Sequence, residues 1–252
     1  MKLKTYRDEK PYLVFDEIRK VFNDTATTFD LKKIGEENKV VDTVRALIML
    51  SIALSRLCQS VLSCGDYYTA AIIYRAMIEH FLKHIYLFKS CIKYGDAIAK
   101  EYCEDHISSE LLQKGLKALR PHTINPTNDF RKFKKKSDEI SDKFRFSKIL
   151  ENIIEELGED ENEKILRSIA VQYSALSSYV HAGPIAVLDP EEKPKKNLDI
   201  NSVFLTIIAY QNTIHLLSFY LSEHQDKLKE IYKEIKNKVR ETLVMYEKNY
   251  IS

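Results

Sequence analysis

Glycine and proline are scarce in this chain of 252 residues, which holds 6 of each. Ordinary usage would supply about 18 glycines and about 13 prolines. Tight hairpin turns and phosphate-cradling loops draw on these residues. Their scarcity argues against a sandwich, a propeller, a Gly-rich nucleotide-binding sheet or a long flexible linker. No Asn-Gly or Asp-Gly pair occurs, and no long alternating run marks a strand. GxxxxGK[ST], GxGxxG, HExxH and GxSxG are missing as well, which removes the usual signatures of phosphate-loop, dinucleotide, zincin and hydrolase chemistry.

Cysteine is sparse too. Cys58, Cys64, Cys91 and Cys103 form no CxxC pair and no CxxC…HxxxH spacing. All four fall in apolar or helix-like stretches and read as buried free thiols, which fits a reducing, cytoplasmic setting. Clustered acids occur only in the exposed GEDENE turn, without the paired Glu-x-x-His ligands of a di-iron bundle. Neither a metal nor a cofactor is expected. The stretch from Met1 to Asp16 has no apolar core and does not read as a secretory signal. Charge of one sign is also lacking: 39 Lys+Arg against 37 Asp+Glu leave a net +2. No global field draws the chain to nucleic acid or anionic lipid, so any such surface must arise by local segregation.

What is present is 44% hydrophobic and 30% charged residues, arranged in long helical periods. The reading is an all-α helical bundle of long antiparallel helices, a single domain over 1–252 with its core at 40–222. Pro11 to about Asn23 forms a short amphipathic helix, and 25–38 reads as a loop with a helical turn. Val40–Leu62 is apolar on most faces and reads as a buried helix. Gly65 closes it, Asp66 caps the next helix from Tyr67 to about Lys93, and Gly95 stops that one. One or two shorter helices follow over 97–119. Residues 120–146 form a basic connection. Helices are expected at 147–157, 160–181 and 200–222, with an exposed loop at 189–198 and a charged C-terminal helix at 225–250. Ile200–Ser222 contains no Asp, Glu, Lys or Arg and is long enough to span a bilayer. Its Asn, Gln, His and hydroxyl groups favour a central buried helix instead, so no membrane partner is expected. A membrane-associated effector is the third reading.

Two helices carry candidate chemistry. In YRAMIEHFLKH, Arg75, Glu79, Leu82 and Tyr86 share one stripe at about 100° per residue. Two charges amid an apolar helix need compensation. They form either a structural ion pair or a guanidinium waiting for phosphate, oriented by Glu79. In YSALSSYVHAGP, Ala170, Ser174, Ser177 and His181 form a narrow stripe beside the apolar stripe of Leu166, Ile169, Tyr173, Leu176 and Val180. His181 closes the helix, either satisfying frayed carbonyls or acting as a general acid/base. Ser177 and Tyr179 beside it are candidate substrate contacts. His80 completes an Arg75-x4-His80 string, but lies about 140° from Arg75. His84 lies further round and reads as the more exposed of the two histidines. The stretch 131–148 interleaves Phe133, Phe144 and Phe146 with basic residues, of which Lys134 and Lys135 are candidate RNA contacts. The alternative is a solvated loop whose Phe residues dock on the core.

The segments YRAMIEHFLKHIYL and YSALSSYVHAGP resemble a bacterial helical domain family of unknown function with R-x-x-x-E and S-x-x-x-H-A-G motifs. Arg75, Glu79, Ser177 and His181 are the matching positions. That family is in turn distantly similar to HEPN domains of toxins, abortive-infection proteins and other phage-defence systems. The resemblance implies a HEPN-like bundle and a metal-independent ribonuclease acting on RNA. It also implies a homodimer, or a partner protein from the same operon. The chain departs from the HEPN pattern at Ala76, where a polar residue is usual, and His181 has no Arg four to six residues before it. Three arrangements stay open: an Arg75–His80 motif, Arg75 and His181 assembled from two helices, or no ribonuclease site. In the last case the Arg75–Glu79–His181 cluster is structural and the chain a scaffold or sensor subunit.

Overall fold

The structure, a computed structural model, describes residues 10–28, 40–106, 135, 138–140, 142–157, 161–180, 195–220 and 225–250. Among these the fold is all-α and no strand occurs. In chain order the helices are α1 (Lys10–Thr28), α2 (Val41–Ser63), α3 (Tyr67–Tyr94) and the short α4 (Ala97–Lys100), which runs into a π-helical turn over Glu101–His106. Then come α5 (Phe146–Leu157), α6 (Glu161–Val180), α7 (Lys196–Tyr220) and α8 (Gln225–Tyr250).

Helix α3 positions the rest. Asp66 caps it by accepting from the Thr69 amide at 2.8 Å, as its sequence position predicts. Gly95 ends it with φ +64, and the Gly95 amide donates to the Cys91 carbonyl at 2.9 Å. That backbone conformation suits a residue without Cβ. Along its length α3 packs against α2, α7, α6 and α5. Ala70, Ala71, Met77, Ile78 and Leu82 are fully buried in these contacts.

Helix α2 is closed at its first turn by a residue distant in sequence. Its flanking Val40 has no side chain able to cap. The Asp96 carboxylate, just beyond α3, accepts from the Asp42 amide at 3.0 Å, the Thr43 amide at 2.7 Å and the Thr43 hydroxyl at 2.6 Å. At the other end of α2, Lys195 donates to the Leu62 carbonyl at 3.4 Å and pairs with Asp199 at 2.7 Å. An anion at the N-terminus and a cation at the C-terminus both suit the helix dipole.

Helix α7 is apolar all round and lies among α1, α2, α3 and α8. Its Ser202, Thr206 and Thr213 are buried, and each hydroxyl donates to the carbonyl four residues back, at 2.6, 2.9 and 2.9 Å. This local bonding is how buried hydroxyls are satisfied inside a helix. Val41–Ser63 and Lys196–Phe219 are long and apolar enough to cross a membrane by length and composition. In this fold both pack against neighbouring helices.

Several sequence expectations are corrected. Helix α1 extends to Thr28, into the segment read as a loop; the rest of 25–38 lies outside the described residues. The end of the expected exposed loop at 189–198 is the start of α7, where Leu198 is buried, because the apolar period continues upstream of Ile200. Cys58 and Cys91 are buried, whereas Cys64 at the end of α2 and Cys103 within the π-helical turn are partly exposed. His84, read as exposed, is fully buried. Its side of α3 is covered by α7, where its Nε2 meets the Thr213 hydroxyl at 3.1 Å. Two Phe residues of the basic stretch dock on the core: Phe144 is buried against Tyr86 and Tyr102, and Phe146, at the start of α5, packs partly buried against it; Phe133 lies outside the described residues.

Candidate functional site

Helix α6 lies across α3, and their facing side chains form one polar cluster. Arg75 sits on α3 with Glu79 one turn further on, and their carboxylate–guanidinium contact, Oε1 to Nη1, is 3.2 Å. Arg75 Nε donates to Ser177 Oγ at 3.0 Å, and Nη2 donates to the Tyr173 hydroxyl at 2.6 Å. The Tyr173 hydroxyl in turn donates to Glu79 Oε1 at 2.6 Å. Ser177 donates to the Tyr173 carbonyl at 2.8 Å. Each guanidinium nitrogen of Arg75 therefore has a protein partner. The guanidinium also lies 4.5 Å from the centre of the Tyr173 ring, in cation–π range. The side chains of Arg75 and Glu79 remain 21% and 33% exposed, so the pair compensates its charges at the surface of the core.

Tyr173 is the hub, and the sequence reading missed that role by placing it in the apolar stripe. Its ring stacks on Phe146 with centroids 3.6 Å apart. Burial, then the hydrogen bond to the Glu79 carboxylate, pushes its phenol up to about 12. The hydroxyl stays protonated at neutral pH and links a cation to an anion without carrying charge. Four-residue spacing from Ser177 was the available signal. A tyrosine in an apolar stripe brings a polar tip with it.

The end of α6 is fixed to the start of α3. The Tyr68 hydroxyl donates to the Tyr179 carbonyl at 2.9 Å, and both Tyr67 and Tyr68 meet the Tyr179 ring edge-on at 5.8 Å. Tyr179 is buried among them, so its ring serves packing rather than an open surface. Arg75, Glu79 and Ser177 are thus brought together. His80 is not among them: its Nδ1 donates to the Ala76 carbonyl of its own helix at 2.8 Å. Lys135 is exposed. His181 and Lys134 lie outside the described residues; in sequence His181 follows the last residue of α6, four positions after Ser177.

Beside the cluster lies a cavity of about 440 Å³, lined by Glu79 and Lys83 of α3, Tyr173 of α6, and the segment from Phe144 through Ser147 at the start of α5. Among the described residues no group of three or more His, Cys, Asp or Glu side chains could hold a metal ion. The arrangement offers a positioned guanidinium, a neutral hydroxyl relay and a carboxylate beside a cavity open to solvent.

A model for a family of unknown function, DUF5677, matches residues 40–193. The match takes in α2 to α6 and both halves of the cluster. No curated protein and no solved structure matches the chain.

Proposed function

The chain belongs to DUF5677, a family of unknown function, and on that premise we propose that it is a HEPN-like toxin or anti-phage defence component. Its activity would be metal-independent cleavage of RNA by a dimer of antiparallel bundles. One observation carries the reading: Arg75 of α3 bonds directly to Ser177 of α6, one turn before His181, while Glu79 pairs with Arg75 and accepts from Tyr173 of α6. Arg75 holds the scissile phosphate, and Glu79 orients Arg75 by direct contact and through Tyr173. His181 takes the proton from the ribose 2′-hydroxyl as that oxygen bonds to phosphorus. The bond to the leaving 5′-oxygen breaks, and that oxygen receives the proton. The products are a 2′,3′-cyclic phosphate and a 5′-hydroxyl. Incubation of purified protein with total RNA in EDTA tests this. Wild type should degrade the RNA, and Arg75→Ala or His181→Ala should not. Equal degradation by all three would end the reading.

A second reading is favoured by the saturation of Arg75, whose three nitrogens all bond within the protein. Here the cluster ties α3 to α6 in a non-catalytic scaffold or sensor subunit, and a partner does the chemistry. Under this reading Glu79→Ala lowers the melting temperature strongly and no RNA is cut. Under the nuclease reading Arg75→Ala and His181→Ala abolish cleavage with modest loss of stability.

A further inference from the structure

We propose that the cavity beside the Arg75–Glu79 cluster is a subsite for one phosphorylated nucleoside unit, with Lys83, Arg145 and Ser147 on its phosphate and the Phe146 ring along its base. The inference rests on the ribonuclease reading only for the choice of RNA over a free nucleotide. At about 440 Å³, the cavity falls in the range of small-ligand sites, roughly 300–1,000 Å³. It is far larger than a bare phosphate needs.

The lining is divided by chemistry. Lys83 lies one helical turn beyond Glu79 and is half-buried. Among the described residues no hydrogen bond or ion pair engages its ammonium group. Glu79, the nearest carboxylate on its helix, is already engaged by Arg75 and Tyr173. Arg145 stands at the rim, 67% exposed and paired with Asp142 at 2.7 Å. Counting Arg75, Lys83 and Arg145 against Glu79 and Asp142 leaves one positive charge in excess. The hydroxyl-bearing Ser147 lines the same space, and the stacked pair of Phe146 and Tyr173 forms its aromatic side. A purely apolar ligand would bury Lys83 beside it without a counter-charge, which is costly. A simple anion would leave the aromatic side in water. A nucleotide unit satisfies both halves, through charge-assisted bonds to phosphate and base contact with an aromatic ring. The Arg75–Glu79 helix and the basic–aromatic stretch, two separate sequence signals, thereby line one cavity.

The test measures binding apart from cleavage. A fluorescein-labelled single-stranded 2′-O-methyl RNA cannot be cut through its 2′-oxygen, and its anisotropy is followed with the full wild-type chain in EDTA. Calorimetry with AMP and UMP covers free nucleotides. Lys83→Gln and Arg145→Ala should each weaken RNA binding about tenfold, the value of one charge-assisted hydrogen bond. Each should also lower the salt dependence by about one counterion. Both changes sit at the cavity edge, and an unchanged circular dichroism spectrum confirms folding. Binding of AMP or UMP with the same Lys83 dependence, in place of RNA, supports the subsite and names a free nucleotide as its source. If neither the RNA nor the nucleotides bind, or if binding is indifferent to both substitutions, the proposal is overturned. If Lys83→Gln weakens binding while cleavage ignores Arg75→Ala and His181→Ala, the subsite stands and the ribonuclease reading falls. If cleavage needs Arg75 and His181 but binding ignores Lys83 and Arg145, the subsite falls alone.

Discussion

Arg75 Nε donates to Ser177 Oγ at 3.0 Å across 102 residues of sequence, and this bond joins α3 to α6. Its geometry depends on Tyr173, which sits between the Arg75 guanidinium and the Glu79 carboxylate. Removing that hydroxyl while keeping the ring isolates the polar link from the stack on Phe146. Tyr173→Phe should cost about 1–2 kcal/mol, read as a fall of a few degrees in melting temperature. Combined with Glu79→Ala the loss should be less than additive, because both changes remove the Tyr173–Glu79 bond. Full additivity would mean that the two groups act separately.

The Asp96 carboxylate closes the first turn of α2 from beyond α3. Asp96→Ala removes all three bonds and should cost about 1–2 kcal/mol, the range for loss of a helix cap. Hydrogen exchange should accelerate selectively at the Asp42 and Thr43 amides. Unchanged protection there would show that another group closes the helix.

Buried His84 should make the fold acid-sensitive. It is fully buried, its Nε2 faces Thr213, and its Nδ1 has no hydrogen-bond partner among the described residues. Burial pushes the imidazole down to about 3 from an ordinary 6.5. Below 6.5 the unfolded chain takes up a proton that the native state refuses until about 3, so stability falls as pH drops through that window. The loss attributable to this one group is about 2 kcal/mol by pH 5. Melting curves at pH 7 and pH 5 should show a larger drop for wild type than for His84→Gln. Parallel drops would assign the acid sensitivity to other groups.

Gly95 holds φ +64, and a Cβ added there would meet nothing within 4 Å. Gly95→Ala therefore reports backbone strain alone, and should cost about 1–2 kcal/mol in chemical denaturation. A neutral or stabilising result would mean that the turn relaxes to a conformation open to alanine.

The helix framework was legible because its signals are local. Asp66 and Gly95 bracket α3, and the unbroken apolar periods of α2 and α7 announce buried helices. The shared stripe of Arg75 and Glu79 was equally legible, since helical spacing fixes which side chains are neighbours on one helix. What spacing cannot supply is the identity of the covering helix. His84 was read as exposed because its own helix does not reveal α7 above it. Tyr173 was counted as apolar because its hydroxyl matters only against Arg75 and Glu79 on another helix. The Asp96 cap joins residues more than fifty positions apart, which no local motif encodes.

The central claim is that the Arg75–Glu79–Ser177 cluster and His181 form a metal-independent RNA-cleaving site. Single-turnover cleavage of an end-labelled RNA in EDTA, with analysis of the product ends, tests it most directly. The account predicts 2′,3′-cyclic phosphate and 5′-hydroxyl ends from wild type, and a rate lowered at least about a hundredfold in folded Arg75→Ala and His181→Ala chains. Intact RNA with wild type, or equal rates in all three proteins, would contradict it.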